Sequence, residues 1–552
     1  MDLRRNLRSC SSASAKSETK SLTWDLDEIL TDLKFGRYQL KNLLLIGLLL
    51  MFANIFPLSF TLTAGDLDYR CRIPECDNNV TIYKPSWLTN AVPFKEDSPR
   101  KCEMYQPVDN VRENLTCSKE GFNTSVIHQC HDWVFATEEV TIVKEFNILC
   151  EQSKWELAMI GTINNIGQFF GIPIFGIISD RYGRKFVALS CTMLSVLFGI
   201  LRGLSTSYLM FAAFEFLDSF FGSAIYGTAF ILGIELVNPS MRPIAATIIG
   251  TFYPIGAVIM GLLAWYLQNW RQLLIACYSP ALLFVLYYWL IPESVRWLQT
   301  NGRHDKAFAI LKKISDSNDI KLPDRVLEDH NEDMFIKKID DDEPSEPFWK
   351  PIFTAFKSKQ LLLRLFNCSF SWFTGTLVYY GLSINSISLA GDKYLNFILT
   401  NAVEVPAFIL SGFIMEKVER RVSLSAAFFF SGITCILCEF IPADMQVTQI
   451  VFFLLSKFLI TTSFNIIYIY SAEMFPTELR LSLCGLASMF GRVGSMIAPQ
   501  TVLLRDMFGK HAPVLLFGVI AVVAGGLSTS FPETLNKKLP DTLNQAKLEN
   551  EE

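Results

Sequence analysis

The sequence predicts an all-α membrane protein in which twelve transmembrane helices form two pseudo-symmetric bundles of six. Composition is the first reason: 51% of the 552 residues are apolar and 19% charged, 45 are Phe, and mean hydropathy is +0.30. Such a surplus of apolar side chains has to dissolve in lipid. Run length is the second: about a dozen apolar stretches reach the roughly 20 residues that a bilayer core of about 30 Å requires. Their continuity excludes an outer-membrane barrel, whose strands alternate residue by residue. The third is an internal repeat, set out below. A net charge of −5, from 49 basic and 54 acidic side chains, gives no footing for nucleic-acid binding.

In chain order, residues 1–40 are a polar, Ser-rich cytoplasmic segment, and the first apolar run begins too late for a cleaved secretory leader. An N-terminal bundle covers 41–291, with spans at 41–62, 155–178, 186–204, 208–234, 244–267 and 272–291. A charged cytoplasmic linker, 292–360, leads to a C-terminal bundle, 361–531, with spans at 361–385, 394–414, 422–441, 447–470, 483–503 and 512–531. Residues 532–552 are a cytoplasmic tail, so both termini are expected inside.

The two long inserts face opposite ways. Residues 63–153 carry Cys71, Cys76, Cys102, Cys117, Cys130 and Cys150 and the sequons at Asn79, Asn114 and Asn123, as expected of an oxidised, glycosylated exterior loop. Six cysteines allow 15 pairings, and spacing does not choose among them. The linker has no Cys. Short loops assigned to the inside carry Arg181, Arg184, Lys185, Arg242, Lys417, Arg420, Arg421 and Arg480; those assigned to the outside carry Arg202, Arg271, Lys393, Arg505 and Lys510. The bias has the positive-inside sign.

The repeat ties the halves together. Gly176, Asp180, Arg181, Gly183, Arg184 and Lys185 follow the second span, and Gly412, Glu416, Lys417, Arg420 and Arg421 follow the eighth, with Glu416 236 positions after Asp180. Glu235 and Arg242 recur as Glu473 and Arg480 at an offset of 238, and Pro292-Glu293-Ser294 recurs as Pro532-Glu533-Thr534 at 240. Parallel six-helix halves with a site between them near the midplane are the architecture of alternating-access carriers. The acid, Arg and Gly of these loops can pair with neighbouring helix ends and hold the cytoplasmic side shut. A single basic loop would be read only as a positive-inside anchor; two copies at matched positions favour gating.

Other apparent motifs carry less. Cys435 and Cys438 read as buried reduced thiols, and His128, Cys130 and His131 do not make a metal site. Asn367 is a sequon inside a span. No Walker A motif is present, so ATP-driven pumping is not expected, and no intramembrane catalytic cluster suggests an enzyme. A receptor or sensor on the same fold would share these features and would differ by the lack of flux.

The loop G-x-x-x-D-R-x-G-R-K at Gly176 to Lys185 resembles the major facilitator superfamily. Val140 to Cys150, Ile291 to Leu298, Tyr379 to Leu382 and Ala472 to Arg480 resemble its solute carrier family 22 branch of organic cation, carnitine and organic anion transporters. Gly391 to Asn396, Glu404 to Ala407 and Gly491 to Pro499 are most similar to the carnitine types. The resemblance implies a plasma-membrane secondary transporter of a small organic ion, zwitterionic or cationic and carnitine-like, with organic anion transport as the alternative. It implies no cofactor, leaves room for a coupling ion (Na+ or H+), and fits a monomer whose partners are its substrate and the lipid bilayer.

Ionisable groups inside spans are functional candidates. At about 1.5 Å per residue, Arg492, Lys457, Glu404, Glu215 and Asp218 fall roughly 10 to 15 Å into their helices. Lys457 and the Glu215–Asp218 pair also admit a second reading, as ion pairs that only hold the bundle together. In the resemblance, Arg492 matches an Arg of anion and carnitine types and implies a carboxylate partner; Glu404 matches an acid that attracts a positive head group. Glu215 and Asp218 depart from the carnitine pattern and lean towards plain cations. Trp372 and Tyr379, seven residues apart on one helix face, match aromatic pocket positions, as do Tyr253, Phe464 and Asn465. Their rings suit an alkylammonium by cation–π attraction.

Overall fold

The computed structural model describes residues 26–74, 76–77, 82–95, 98–108, 117–323, 359–442, 444–475 and 480–535. Asn79 and Asn114, most of the linker, the first 25 residues and the chain beyond 535 lie outside them.

Ten helices among the described residues are long and apolar enough to cross a bilayer: Arg37–Thr63, Ser153–Tyr182, Arg184–Gly203, Tyr208–Ile234, Pro239–Leu267, Trp270–Leu290, Leu361–Ser388, Lys393–Lys417, Arg420–Phe440 and Gln446–Met474. Arg480–Ile497 and Ala512–Ser528 complete twelve spans. The eleventh carries Arg480 and Arg492, and the twelfth has 17 residues, roughly 25 Å at 1.5 Å each.

Proline explains two breaks. The first span is interrupted at Asn54, between helices Arg37–Ala53 and Ile55–Thr63. The Pro57 ring clashes with the carbonyl four residues earlier, that of Ala53, and the Asn54 amide leaves the helix to donate to the Tyr253 carbonyl at 2.8 Å. The eighth span is interrupted at Val403, and Pro406 acts on Ala402 in the same way. Glu404 consequently opens the second half-helix, where the helix dipole favours a carboxylate.

Three disulfides, Cys71–Cys130, Cys76–Cys117 and Cys102–Cys150, close the first loop. It contains three two-stranded antiparallel sheets and a buried ion pair in which Arg70 grips Asp77 with both terminal nitrogens, at 2.7 and 2.8 Å. Burial acts to raise the Asp77 carboxyl, and the Arg70 hydrogen bonds and the Ile73 N–H outweigh it and hold it below its ordinary range. Asn123 is exposed on one of these strands.

The two repeated loop motifs fold as copies. Glu293 accepts from the Lys185 N–H at 3.0 Å, while Glu533 accepts from the Arg420 and Arg421 N–H groups at 2.9 and 3.0 Å. The Ser294 hydroxyl donates to Glu235 and the Thr534 hydroxyl to Glu473. Arg184 and Arg420 reach the same two acids, at 4.0 and 3.4 Å. Gly183 has φ +107°, and a Cβ there would lie 2.4 Å from Glu293 Oε2, so only glycine lets this carboxylate approach the helix end.

The copies also differ. Asp180 pairs with Arg184 at 2.8 Å, whereas Glu416 is exposed and has no ion-pair partner among the described residues. Arg242 pairs with Asp27 at 2.5 Å. Asp27 lies in a helix, Leu26–Asp32, that packs through Leu26, Ile29 and Leu30 on the linker helices Val295–Thr300 and His304–Asn318. Arg181 sits over the Tyr182 ring, no atom approaches within 4 Å of a Cβ built on Gly176, and the side chain of Arg480 lies outside the described residues.

Candidate functional site

Within the spans of the N-terminal half, buried charge among the described residues gathers in one cluster. Arg202 at the end of the third span, and Glu215 and Asp218 in the fourth, are 0% exposed. Arg202 is bonded to Glu215 and lies 3.4 Å from Asp218. It also donates to Ser59 of the first span at 2.8 Å and to Tyr278 of the sixth at 3.3 Å. Tyr278 and Ser195 donate to Asp218, and Asn164 of the second span donates to Glu215 at 2.6 Å. Each carboxylate oxygen thus accepts at least one donor, and both acids are occupied by protein.

Arg202 therefore corrects its outer-loop assignment. The third helix carries it inward, because two carboxylates on the next helix outweigh the cost of burying one guanidinium. Arg202, Tyr278 and Asn164 were missed as members of this network. One signal was available: an Arg in the last turn of an apolar run, thirteen residues before Glu215, can meet it across a helical hairpin.

In the C-terminal half, Glu404 and Lys457 are likewise 0% exposed and form an ion pair at 2.8 Å. Lys457 also donates to the Tyr379 carbonyl at 3.1 Å and to Ser383 at 2.7 Å, while Tyr379 donates its hydroxyl to Glu404 at 2.7 Å. The Lys457 ammonium lies 3.3 Å from the Tyr379 ring centroid. The aromatic face read from the sequence as a seat for a substrate cation already holds one.

Around this pair the rings are continuous. Tyr379 stacks on Phe464 at 5.6 Å, Phe464 meets Trp372 at 5.8 Å, and Trp372 meets Tyr468 at 5.5 Å. Across the interface, Tyr253 packs edge-on to Tyr226 at 5.2 Å. Tyr253 lies within electrostatic range of both Glu404 and Arg492, and Tyr468 within that of Arg492. The structure thus gathers Trp372, Tyr379, Phe464, Tyr253, Glu404, Lys457 and Arg492 into one region. Asn465 turns to Ser411 on the eighth span, at 3.3 Å. Glu215 and Asp218 belong to the separate N-terminal cluster.

Arg492 differs from every other mid-bundle charge. Among the described residues no carboxylate lies within ion-pair distance of it, and its one hydrogen bond goes to a neutral group, Gln168 Oε1, at 3.2 Å. Nearby, Trp372 Nε1 is buried with no acceptor; the Trp372 ring packs against Gly491, 3.4 Å from a Cβ built there. A cation and an N–H donor without anionic partners suit an anionic ligand group.

The halves touch at the end of the bundle that carries the disulfide-bonded loop. Gln500 and the Met496 carbonyl bond Thr162 at 2.8 and 3.1 Å, and Lys393 is bonded to Glu139. A cavity of 680 Å³ lies there, lined from both halves by residues including Phe60, Leu157, Ile387 and Pro499. None of the mid-bundle residues lines it, so it is a vestibule apart from the charged site. Among the described residues no group of His, Cys, Asp and Glu could hold a metal ion. Cys130 is disulfide-bonded, and Cys435 and Cys438 are free and buried.

The profile of the sugar (and other) transporter family matches residues 113–542. An organic cation transporter protein of Drosophila melanogaster is 30% identical over 520 residues, covering 94% of this chain and 93% of its own. The organic cation/carnitine transporter 2 of Homo sapiens is 28% identical, covering 90% of each chain, and solute carrier family 22 member 2 of Homo sapiens is 31% identical, covering 87% of each. Among solved structures, the xylose transporter XylE of E. coli in a partially occluded inward-open conformation superposes with a TM-score of 0.59 at 15% identity, covering 91% of this chain and 100% of that one; that likeness shows the major facilitator fold. The chain belongs to the sugar (and other) transporter family, in its solute carrier 22 branch, and is a multi-pass membrane transporter and not an enzyme.

Proposed function

We propose that this protein is an alternating-access carrier of the plasma membrane, with both termini cytoplasmic, that moves small organic ions bearing a carboxylate, carnitine-like zwitterions first among them. The observation that carries the reading is Arg492, a mid-membrane guanidinium whose only partner among the described residues is a neutral amide. Because Glu404 and Lys457 cancel each other, the region keeps one positive charge. A carboxylate answers it, and the onium end of a zwitterion then meets the surrounding aromatic faces, each worth roughly 0.5 to 2 kcal/mol. The organic cation and carnitine transporters among the relatives support a substrate of this class. The same charge count favours organic anions as the second reading.

Cells expressing the protein are expected to accumulate labelled carnitine above control, and tetraethylammonium, a dicarboxylate and urate less. Preference for the dicarboxylate removes the zwitterion and keeps the carrier. Arg492→Ala is expected to weaken carnitine binding roughly 10-fold to 150-fold, the worth of a charged hydrogen bond, and choline binding far less. Replacing external Na+ or stepping the pH during uptake measures the coupling ion. Loss of a glycosidase-sensitive gel shift on removing Asn79, Asn114 and Asn123 together tests the outer loop, and sizing in detergent tests the monomer.

A further inference from the structure

We infer that Gln168 sets the charge selectivity of the site by giving Arg492 a neutral acceptor where a counter-ion would otherwise stand. The inference rests on the reading that Arg492 receives the substrate carboxylate, and it assigns the residue that keeps that charge available.

Gln168 lies in the second span, in the N-terminal half, and Arg492 in the eleventh, in the C-terminal half; their 3.2 Å bond crosses the interface between the halves. The amide does not turn freely. Gln168 Nε2 donates to Asn164 Oδ1 at 2.8 Å, and Asn164 Nδ2 in turn donates to the Phe56 carbonyl at 2.8 Å and to Glu215 at 2.6 Å. Gln168 is 3% exposed and Asn164 0%, and their i, i+4 spacing stacks them on one helix face. Glu215 accepts, so the Asn164 amide must point its nitrogen there and its oxygen back to Gln168. That leaves Gln168 Oε1, and not its nitrogen, facing the guanidinium.

The chemistry of that acceptor decides what the site can bind. An oxygen of a neutral amide satisfies one of the five N–H donors of Arg492 and holds the group in place without cancelling its charge. A carboxylate in the same position would form an ion pair and leave little attraction for a second anion. Glu404 shows that outcome from the other side, its charge closed by Lys457. Gln168 is a positioning residue, held by the N-terminal charge cluster and presented across the interface.

The test uses full-length purified protein and a matched ligand pair, carnitine and choline, which differ in the carboxylate. Gln168→Glu is expected to weaken carnitine binding roughly 10-fold to 150-fold while choline binding holds or tightens. Gln168→Met, neutral and of similar length, is expected to keep the preference of the wild type for carnitine. A Gln168→Glu protein of unchanged melting temperature that binds carnitine normally, or loses both ligands equally, overturns the inference. So does loss of the preference in Gln168→Met, which carries the test by itself should the Glu variant not fold. Arg492→Ala separates the two levels: if it leaves carnitine binding intact, the carboxylate reading fails; if it abolishes binding and Gln168→Glu does not, only the role of Gln168 fails.

Discussion

In the N-terminal half, Arg202 is enclosed by Glu215, Asp218, Tyr278 and Ser59, all within one six-helix bundle. In the C-terminal half, Glu404 and Lys457 form a similar closed pair, but Arg492, on the eleventh span, reaches out of its own bundle to Gln168. Buried charge therefore serves two purposes in one fold. Where acids and bases of the same half meet, the charges are saturated and the half is held as a unit. Where a charge faces the opposite half with only an amide to meet it, the interface keeps an open valence for something that comes and goes. Burial and the origin of the partner both distinguish the two: the saturated charges are 0% exposed and paired within their own half, whereas Arg492 is half-buried and meets its partner across the interface.

The largest effect that can break this comparison is on stability. Arg202→Met leaves two buried carboxylates without their cation and is expected to cost about 3 to 5 kcal/mol, read as a lower melting temperature of the purified protein. Arg492→Met is expected to cost far less, since it strands only one amide oxygen. Equal losses would erase the distinction between a closed and an open charge.

Next in size is the coupling between charges. A double-mutant cycle of Glu404→Gln with Lys457→Met is expected to show an interaction of about 1 to 3 kcal/mol, whereas Glu404→Gln with Arg492→Met should add to within about 0.5 kcal/mol. A large Glu404–Arg492 coupling would mean that the two charges already neutralise each other and that the net +1 of the site is wrong.

The two loop-motif copies give a smaller effect. Burial acts to raise the Glu533 carboxyl, but the backbone N–H groups of Leu535, Arg421, Arg420 and Thr534 outweigh it and hold it below its ordinary value of 4.5. A carboxyl depressed in the folded state contributes stability above its unfolded value and loses it as pH falls through the folded one, so this contribution is present at neutral pH and disappears on acidification below about 4.5. Glu533→Gln is expected to blunt that loss and to lower turnover with little change in substrate affinity, because the site is distant. An unchanged acid response would place the capping role elsewhere. The smallest effect is expected of Asp180→Asn: the Asp180 side chain is 75% exposed, and exposed pairs contribute at most about 1 kcal/mol. A fall in turnover without a shift in melting temperature would show that even this weak pair biases the two carrier states.

Much of this was legible in the chain. Twelve spans follow from runs of apolar residues, because a helix in lipid must satisfy its own backbone, and that requirement is local. The repeated loop motifs were legible for a related reason: Glu293 and Glu533 cap helices that begin within the same short sequence landmarks, so a matched offset of 240 residues preserves matched bonds. That Arg492, Lys457 and Glu404 lie within helices, away from the helix-connecting loops, was readable by counting residues along each apolar run.

What the order of residues left open is which charge meets which. Lys457 lies 53 positions from Glu404 and 78 from Tyr379, and nothing in either segment announces that the lysine would occupy both the acid and the aromatic face. Gln168 and Arg492 are separated by 324 positions and by the interface between the halves. Periodicity and hydropathy act along one helix at a time, whereas the pairing of buried charges depends on how helices rotate and pack across the bundle, where an unpaired charge costs several kcal/mol. The sequence by itself determined a membrane carrier with two like halves and charge at its centre; only the tertiary structure decided that all but one of those central charges close on each other.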